Sequence, residues 1–120
     1  MADILFVEDE EWLADCYQRW VSPEYSSRVV GSAQAAIYDV DDYLPKAIVL
    51  DMFLPVANGI QLLHELKSHP DLAGIPVILC SGANLSDLAE DLMGYGVARI
   101  LDKTTLTRAK LREAVAEVVK

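Results

Sequence analysis

Residues 47–59 read Ala-Ile-Val-Leu-Asp-Met-Phe-Leu-Pro-Val-Ala-Asn-Gly, and how they are read decides the fold. Four apolar residues, Ala47 to Leu50, lead to one carboxylate, Asp51, with no alternation of polar and apolar positions. Such a run suits a strand buried on both faces, as in a parallel sheet covered by helices. Pro55 and the pair Asn58-Gly59 are turn residues, so the strand ends at Asp51. A lone acid therefore stands at the carboxyl end of a central strand, where open parallel sheets bind their ligands. Taken alone, the segment also fits an acid that merely caps a loop.

The chain on either side supplies more strands of the same kind. Upstream, Asp3 to Val7 predicts a first strand. The acids Glu8 to Glu11 favour the first turn of a helix, so one starts near Asp9. Its apolar face is Trp12, Leu13, Cys16, Tyr17, Trp20 and Val21, and Ser22-Pro23 ends it. Arg28 to Gly31 predicts a second strand, and Ser32 caps a helix over Ala33 to Tyr43. Downstream, Gly59 opens a third helix through Ile60, Leu62, Leu63 and Leu66, ending near His69-Pro70. His64 and His69 on it are expected in solvent, without partners. Pro76 to Cys80 is a fourth strand, followed by Ser81-Gly82-Ala83. Asn84 or Ser86 caps a fourth helix to about Met93, and Gly94 and Gly96 end it. Val97 to Leu101 is the fifth strand, followed by Asp102-Lys103. Thr104 or Thr105 caps a last helix with the stripe Leu111, Val115, Val118 and Val119.

Strands separated by helices run parallel, with helices on both faces of the sheet. Right-handed crossovers then lead to a doubly wound sheet. At 120 residues and 52% hydrophobic, the chain is expected to be one domain with a real core. Its longest apolar runs are of strand length, so neither a membrane span nor a secretory signal is expected. Cys16 and Cys80 lie in apolar contexts and read as reduced core residues of a cytoplasmic protein. The net charge of −9 repels phosphate backbones, which argues against direct nucleic-acid binding.

In a parallel sheet all carboxyl ends share one edge. Glu8 and Asp9 follow the first strand, Asp51 the third, Ser81 the fourth and Lys103 the fifth. Two carboxylates about 4 Å apart repel by roughly 4 kcal/mol at an effective dielectric of about 20. Three acids against one lysine leave two negative charges in excess, which a divalent cation would neutralise. An all-oxygen set with room for water suits Mg²⁺ or Mn²⁺. Beside such an ion, with a hydroxyl and a lysine nearby, a carboxylate can attack phosphorus to form an aspartyl phosphate. The competing reading lets the acids splay into solvent, with Lys103 in an ordinary surface pair.

The acid pair in F-V-E-D-E, the D-M-F-L-P-V-A-N-G segment, the S-G-A after the fourth strand and the lysine after the fifth together resemble a response-regulator receiver domain. The resemblance covers the whole chain, 1–120, with the motifs in order. It implies a flavodoxin-like, doubly wound α/β fold: a five-stranded parallel sheet in order 2-1-3-4-5 with five helices. It implies that Asp51 is the phosphoacceptor, served by a histidine kinase, a phosphotransfer protein or a small phosphodonor. Asp9 and Asp51 would bind Mg²⁺ with the backbone carbonyl of Phe53, and Glu8 would act on the metal through water. Ser81 would be the switch hydroxyl and Lys103 the phosphate-sensing lysine. Such a domain is a stoichiometric phosphoacceptor, not an enzyme. Its output would be a protein contact on the Asn84–Lys120 face, and the homodimer stays open.

Two positions depart from the family pattern. Thr104 follows Lys103 where the family usually has a cis-bonded Pro, and a non-proline cis bond costs about 2.5–4 kcal/mol. A trans bond and a reshaped last loop are therefore expected. Ile100 stands three residues before Lys103, where the family usually carries a switching aromatic; Tyr95 is a candidate substitute. These departures support an alternative, a pseudo-receiver that binds partners without phosphorylation, while Asp51, Ser81 and Lys103 oppose it. An aspartate-based phosphohydrolase would need a second acid two residues on, where Phe53 stands. Phe53 and Ala83 flank the expected phosphoryl site, Phe53 as a partial shield and Ala83 leaving a path for water. Phe53→Asn should therefore alter the rate of phosphate loss; identical rates in variant and wild type would remove the shielding argument.

Overall fold

The computed structural model describes residues 3–51, 56–70, 72–82 and 89–119. Strands and helices alternate: β1 (Ile4–Val7), α1 (Glu11–Val21), β2 (Ser27–Val30), α2 (Ala33–Asp42), β3 (Ala47–Asp51), α3 (Val56–Ser68), β4 (Val77–Ser81), α4 (Ala89–Gly94), β5 (Val97–Asp102) and α5 (Arg108–Val118). The strands form one parallel sheet in the order β2-β1-β3-β4-β5, as the sequence implied.

The apolar runs bury both faces of the central strands because alternate residues face opposite layers. Leu5, Val7, Ile48, Leu50 and Leu79 pack with Ala36, Val40, Leu62 and Leu92 of α2, α3 and α4. Ile4, Phe6, Ala47, Val49 and Ile78 pack with Tyr17, Val21, Leu111 and Val115 of α1 and α5. Strands β1 and β3 are buried along their whole length, whereas β2 at the edge is only half-buried.

Several boundaries differ from the expectation. Helix α1 begins at Glu11, with Glu10 as an N-cap that makes no side-chain cap bond. Its buried stripe is Ala14, Tyr17 and Val21. Trp12 lies two positions before Ala14, roughly 200° around the helix, and is 69% exposed with its indole N–H donating to Glu10 Oε2 at 2.6 Å. Trp12 is therefore not part of the core face. Helix α3 begins at Val56, so Asn58 and Gly59 lie in its first turn and not in a turn before it. A Pro just ahead of a helix suits such a start. The expected caps of α4, Asn84 and Ser86, lie outside the described residues. At its other end Gly96, with φ of 87°, takes the left-handed conformation that glycine accepts most readily.

Helix α5 is capped by Thr107, whose Oγ1 accepts from the Lys110 N–H at 3.2 Å, and not by Thr104 or Thr105. Those two belong to the loop before it. The cap of α2 is Ser32, as expected, accepting from the Ala35 N–H. Both histidines are exposed, as expected, but each has a neighbour. The His64 ring packs on Tyr95 at 5.4 Å between centroids, and His69 stands 3.9 Å from Glu65.

Leu79 is wholly buried in a central strand and Trp12 is exposed. Leu79→Ala should cost about 2–5 kcal/mol, whereas Trp12→Ala should stay within about 0.5 kcal/mol of wild type. Urea unfolding followed by circular dichroism measures both, and comparable losses would contradict this burial pattern.

Candidate functional site

Parallel pairing fixes the edge of the sheet. Val7 lies opposite Leu50, so Glu8 and Asp51 follow at the same level on adjacent strands. Asp51 lies opposite Cys80, and Ser81 opposite Asp102, which brings Ser81 and Lys103 to the same edge. Burial here is deep: Glu8 is 3% exposed, Asp51 1% and Ser81 4%. The Lys103 ammonium donates to Asp51 Oδ2 and stands 3.7 Å from Glu8 Oε1. The Lys103 N–H also donates to the Ser81 carbonyl at 2.8 Å, tying the end of β5 to the end of β4.

Two buried carboxylates and one ammonium leave an excess negative charge. Burial, then a hydrogen bond to the neighbouring Asp51 and its charge, push the Glu8 carboxyl from 4.5 up to about 8, with Lys103 pulling the other way. Metal-free Glu8 therefore holds its proton at neutral pH, and Lys103 balances Asp51. Neither Glu8 oxygen accepts a hydrogen bond. Buried acceptors in that state are costly, and a hard cation carrying water is the kind of group that satisfies them.

Of the other expected ligands, Asp9 is exposed, and the Phe53 carbonyl lies outside the described residues. Among the described residues no group of three or more His, Cys, Asp and Glu side chains is placed to hold a metal. The oxygen donors that are described fit a divalent cation by their chemistry: Glu8 and Asp51 are carboxylates, buried side by side, with Asp9 next in the chain.

The floor of the site is apolar. Tyr17 stacks on Phe6 with ring centroids 5.7 Å apart. Its phenol is pushed well up by burial, then by Cys80, Asp51 and Glu8. The Cys80 thiol is pushed up to about 12 by burial and then by Asp51. A thiol so far from ionising is inert as a nucleophile, in keeping with a core cysteine; Cys16, also a free thiol, is only half-buried and not a core residue.

The loop after β5 holds residues that the sequence reading assigned elsewhere. Asp102 Oδ1 accepts from the Thr104 N–H at 2.9 Å and from Thr104 Oγ1 at 2.7 Å. These bonds hold the Asp102 carboxyl below its ordinary range. An acid two residues before a threonine is a recognisable turn signature, and it was readable in Asp102-Lys103-Thr104. Among the described residues the cis peptide bond is Ser22-Pro23, so Lys103-Thr104 is trans, as expected.

The molecule is thus a doubly wound α/β protein with a buried acid pair and a lysine at the carboxyl edge of its sheet. Residues 4–116 match the response regulator receiver domain, and the chain belongs to that family of two-component signalling proteins. It is similar to the luminescence regulatory protein LuxO of Vibrio campbellii, 32% identical over 99 residues, or 81% of this chain and 21% of LuxO. The chain spans about a fifth of that relative's length. The signal receiver domain of a LuxO repressor protein from Vibrio parahaemolyticus superposes with a TM-score of 0.86 at 29% identity, covering 97% of this chain and 88% of that one. The receiver domain of sensor histidine kinase PA1611 from Pseudomonas aeruginosa, solved with magnesium in its active-site cleft, superposes with a TM-score of 0.84. It covers 98% of this chain and 97% of that one at 23% identity, a likeness of fold. Receiver domains take phosphate from histidine kinases or phosphotransfer proteins and act as switches, not as classical enzymes. Among the described residues no helix is long and apolar enough to cross a membrane.

The Glu8 shift has a consequence for stability. Between pH 4.5 and about 8 native Glu8 keeps a proton that the unfolded chain has lost. This raised carboxyl therefore weakens the fold as pH rises through that window, by up to roughly 1.4 kcal/mol per pH unit. In metal-free protein Glu8→Gln should flatten this fall, read by urea unfolding at pH 5, 6, 7 and 8. An equally steep fall in the variant would contradict the assignment.

Proposed function

We propose that residues 1–120 work as one receiver domain in which Asp51 accepts a phosphoryl group from a histidine kinase, a phosphotransfer protein or a small acyl phosphate. The observation that carries the reading is the buried contact of Lys103 with both Asp51 and Glu8. An Asp51 oxygen attacks phosphorus, the bond from phosphorus to the donor breaks, and the donor leaves with that bond's electron pair. Lys103, already on Asp51, shifts its ammonium to the arriving phosphoryl oxygens and stabilises their charge. Ser81, at the end of the neighbouring strand, donates a hydrogen bond to the same group. Glu8, Asp9, Asp51 and the Phe53 carbonyl would hold Mg²⁺. Bound there, the ion would supply Lewis-acid stabilisation of the phosphoryl oxygens. Holding it requires Glu8 to give up its proton.

The chain is then a stoichiometric phosphoacceptor that promotes its own phosphorylation and slow dephosphorylation. Its output is a protein contact on the Asn84–Lys120 face, in the cytoplasm, without direct binding to nucleic acid or membrane; homodimer formation on that face belongs to the same reading. Ile100 is half-buried against the core layer that also holds Tyr95. The Tyr95 ring packs on the His64 ring with the Lys67 ammonium also over it, and Lys67 donates to the Gly94 carbonyl. Any relay through Tyr95 therefore has to release α3. The pseudo-receiver reading is not favoured, because the acceptor acid and its lysine are both present and in contact.

Incubation with Mg²⁺ and acetyl phosphate, followed by intact-mass measurement, tests the proposal. Wild type should gain one phosphoryl group, and Asp51→Asn or metal chelation should abolish the gain. Labelling that persists in Asp51→Asn would sink the reading.

A further inference from the structure

Lys103 is a long, flexible side chain whose ammonium has to meet two buried carboxylates. A lysine carries about 2 kcal/mol of rotamer entropy, so the contact depends on how firmly its own backbone is aimed. No proline ring restrains the turn that follows, since Thr104 is the next residue and the bond to it is trans. The restraint comes from hydrogen bonds. The Lys103 N–H donates to the Ser81 carbonyl at 2.8 Å. The Thr104 N–H and Oγ1 both donate to Asp102 Oδ1, at 2.9 and 2.7 Å. The Thr105 N–H donates to the Asp102 carbonyl at 3.2 Å. Three consecutive N–H groups, from Lys103 to Thr105, are thereby held.

We infer that Asp102 and Thr104 are positioning residues for Lys103: the carboxylate of Asp102, by gripping Thr104 across it, fixes the backbone from which Lys103 reaches Asp51 and Glu8. Asp102 itself is exposed, and its hydrogen bonds run to Thr104, not to the acid pair. It acts through geometry, not as a charge in the site. Asparagine, whose amide oxygen accepts the same two bonds, should replace it; alanine should not. The inference rests on the proposed part of Lys103 in phosphoryl transfer.

The test compares Asp102→Ala, Asp102→Asn, Thr104→Val and Lys103→Met with wild type. Two readouts are followed: the rate of labelling by acetyl phosphate with Mg²⁺, and, in metal-free protein, the Nζ resonance of Lys103 by NMR. Asp102→Ala should slow labelling about 10-fold or more, since small misplacements of a reacting group cost up to about 100-fold. It should also move the Lys103 resonance toward those of exposed lysines. Asp102→Asn should stay within about 3-fold of wild type and keep the resonance, with Thr104→Val between the two. Asp102→Ala with wild-type labelling and an unmoved resonance, beside a slow Lys103→Met, would overturn the inference alone, even if the variant melts earlier. Lys103→Met that labels at the wild-type rate would overturn the part given to Lys103 itself.

Discussion

Two carboxylates, Glu8 and Asp51, stand side by side with almost all water removed and a single ammonium between them. Taking one such ion out of water costs several kcal/mol, which one good counterion only just offsets. Lys103 supplies that counterion for Asp51. The same ammonium, 3.7 Å from Glu8, cannot offset both charges, and burial with the neighbouring Asp51 pushes the Glu8 carboxyl up so that it keeps its proton. The metal-free pair is therefore balanced in charge, with the proton that Glu8 keeps shared with Asp51, though neither Glu8 oxygen accepts a hydrogen bond. On the proposed reading a divalent ion would displace that proton and share Asp51 with Lys103, so its binding would depend on pH.

The scaffold explains why these groups meet at all. Glu8 and Asp51 are neighbours only because β1 and β3 are adjacent in the order β2-β1-β3-β4-β5. Ser81 and Lys103 arrive from the far half of the chain through the next two strands. Strict alternation along β1 and β3 sends Phe6 and Val49 to the α1–α5 layer and Leu5 and Leu50 to the other. The acids sit one step beyond these runs, where packing ends. The same register that builds the core thus sets the spacing of the site, and a strand slip of one residue would undo both.

The sheet was legible because its strands are short, apolar and bounded by charge or turn residues. Ala47 to Asp51 shows this best, since its burial is complete from end to end. What could not be read is the angular detail of helices and loops. Trp12 fits a helical apolar pattern, yet the stripe is set by Ala14, Tyr17 and Val21, a choice made by the sheet they cover. Three threonines lie before α5, and Thr107 is the cap while Thr104 is bonded to Asp102. The gathering of Glu8, Asp51, Ser81 and Lys103 at one edge followed from parallel strands alone. The protonation of Glu8 did not, because it depends on burial that charge counting cannot see.

The decisive measurement is a carbon-13 NMR titration of the Glu8 side-chain carboxyl in metal-free protein. The account predicts a midpoint near 8, well above the ordinary value of 4.5. A midpoint in the ordinary carboxylate range would contradict it, for then two bare charges would share the pocket and Lys103 could not be what balances it.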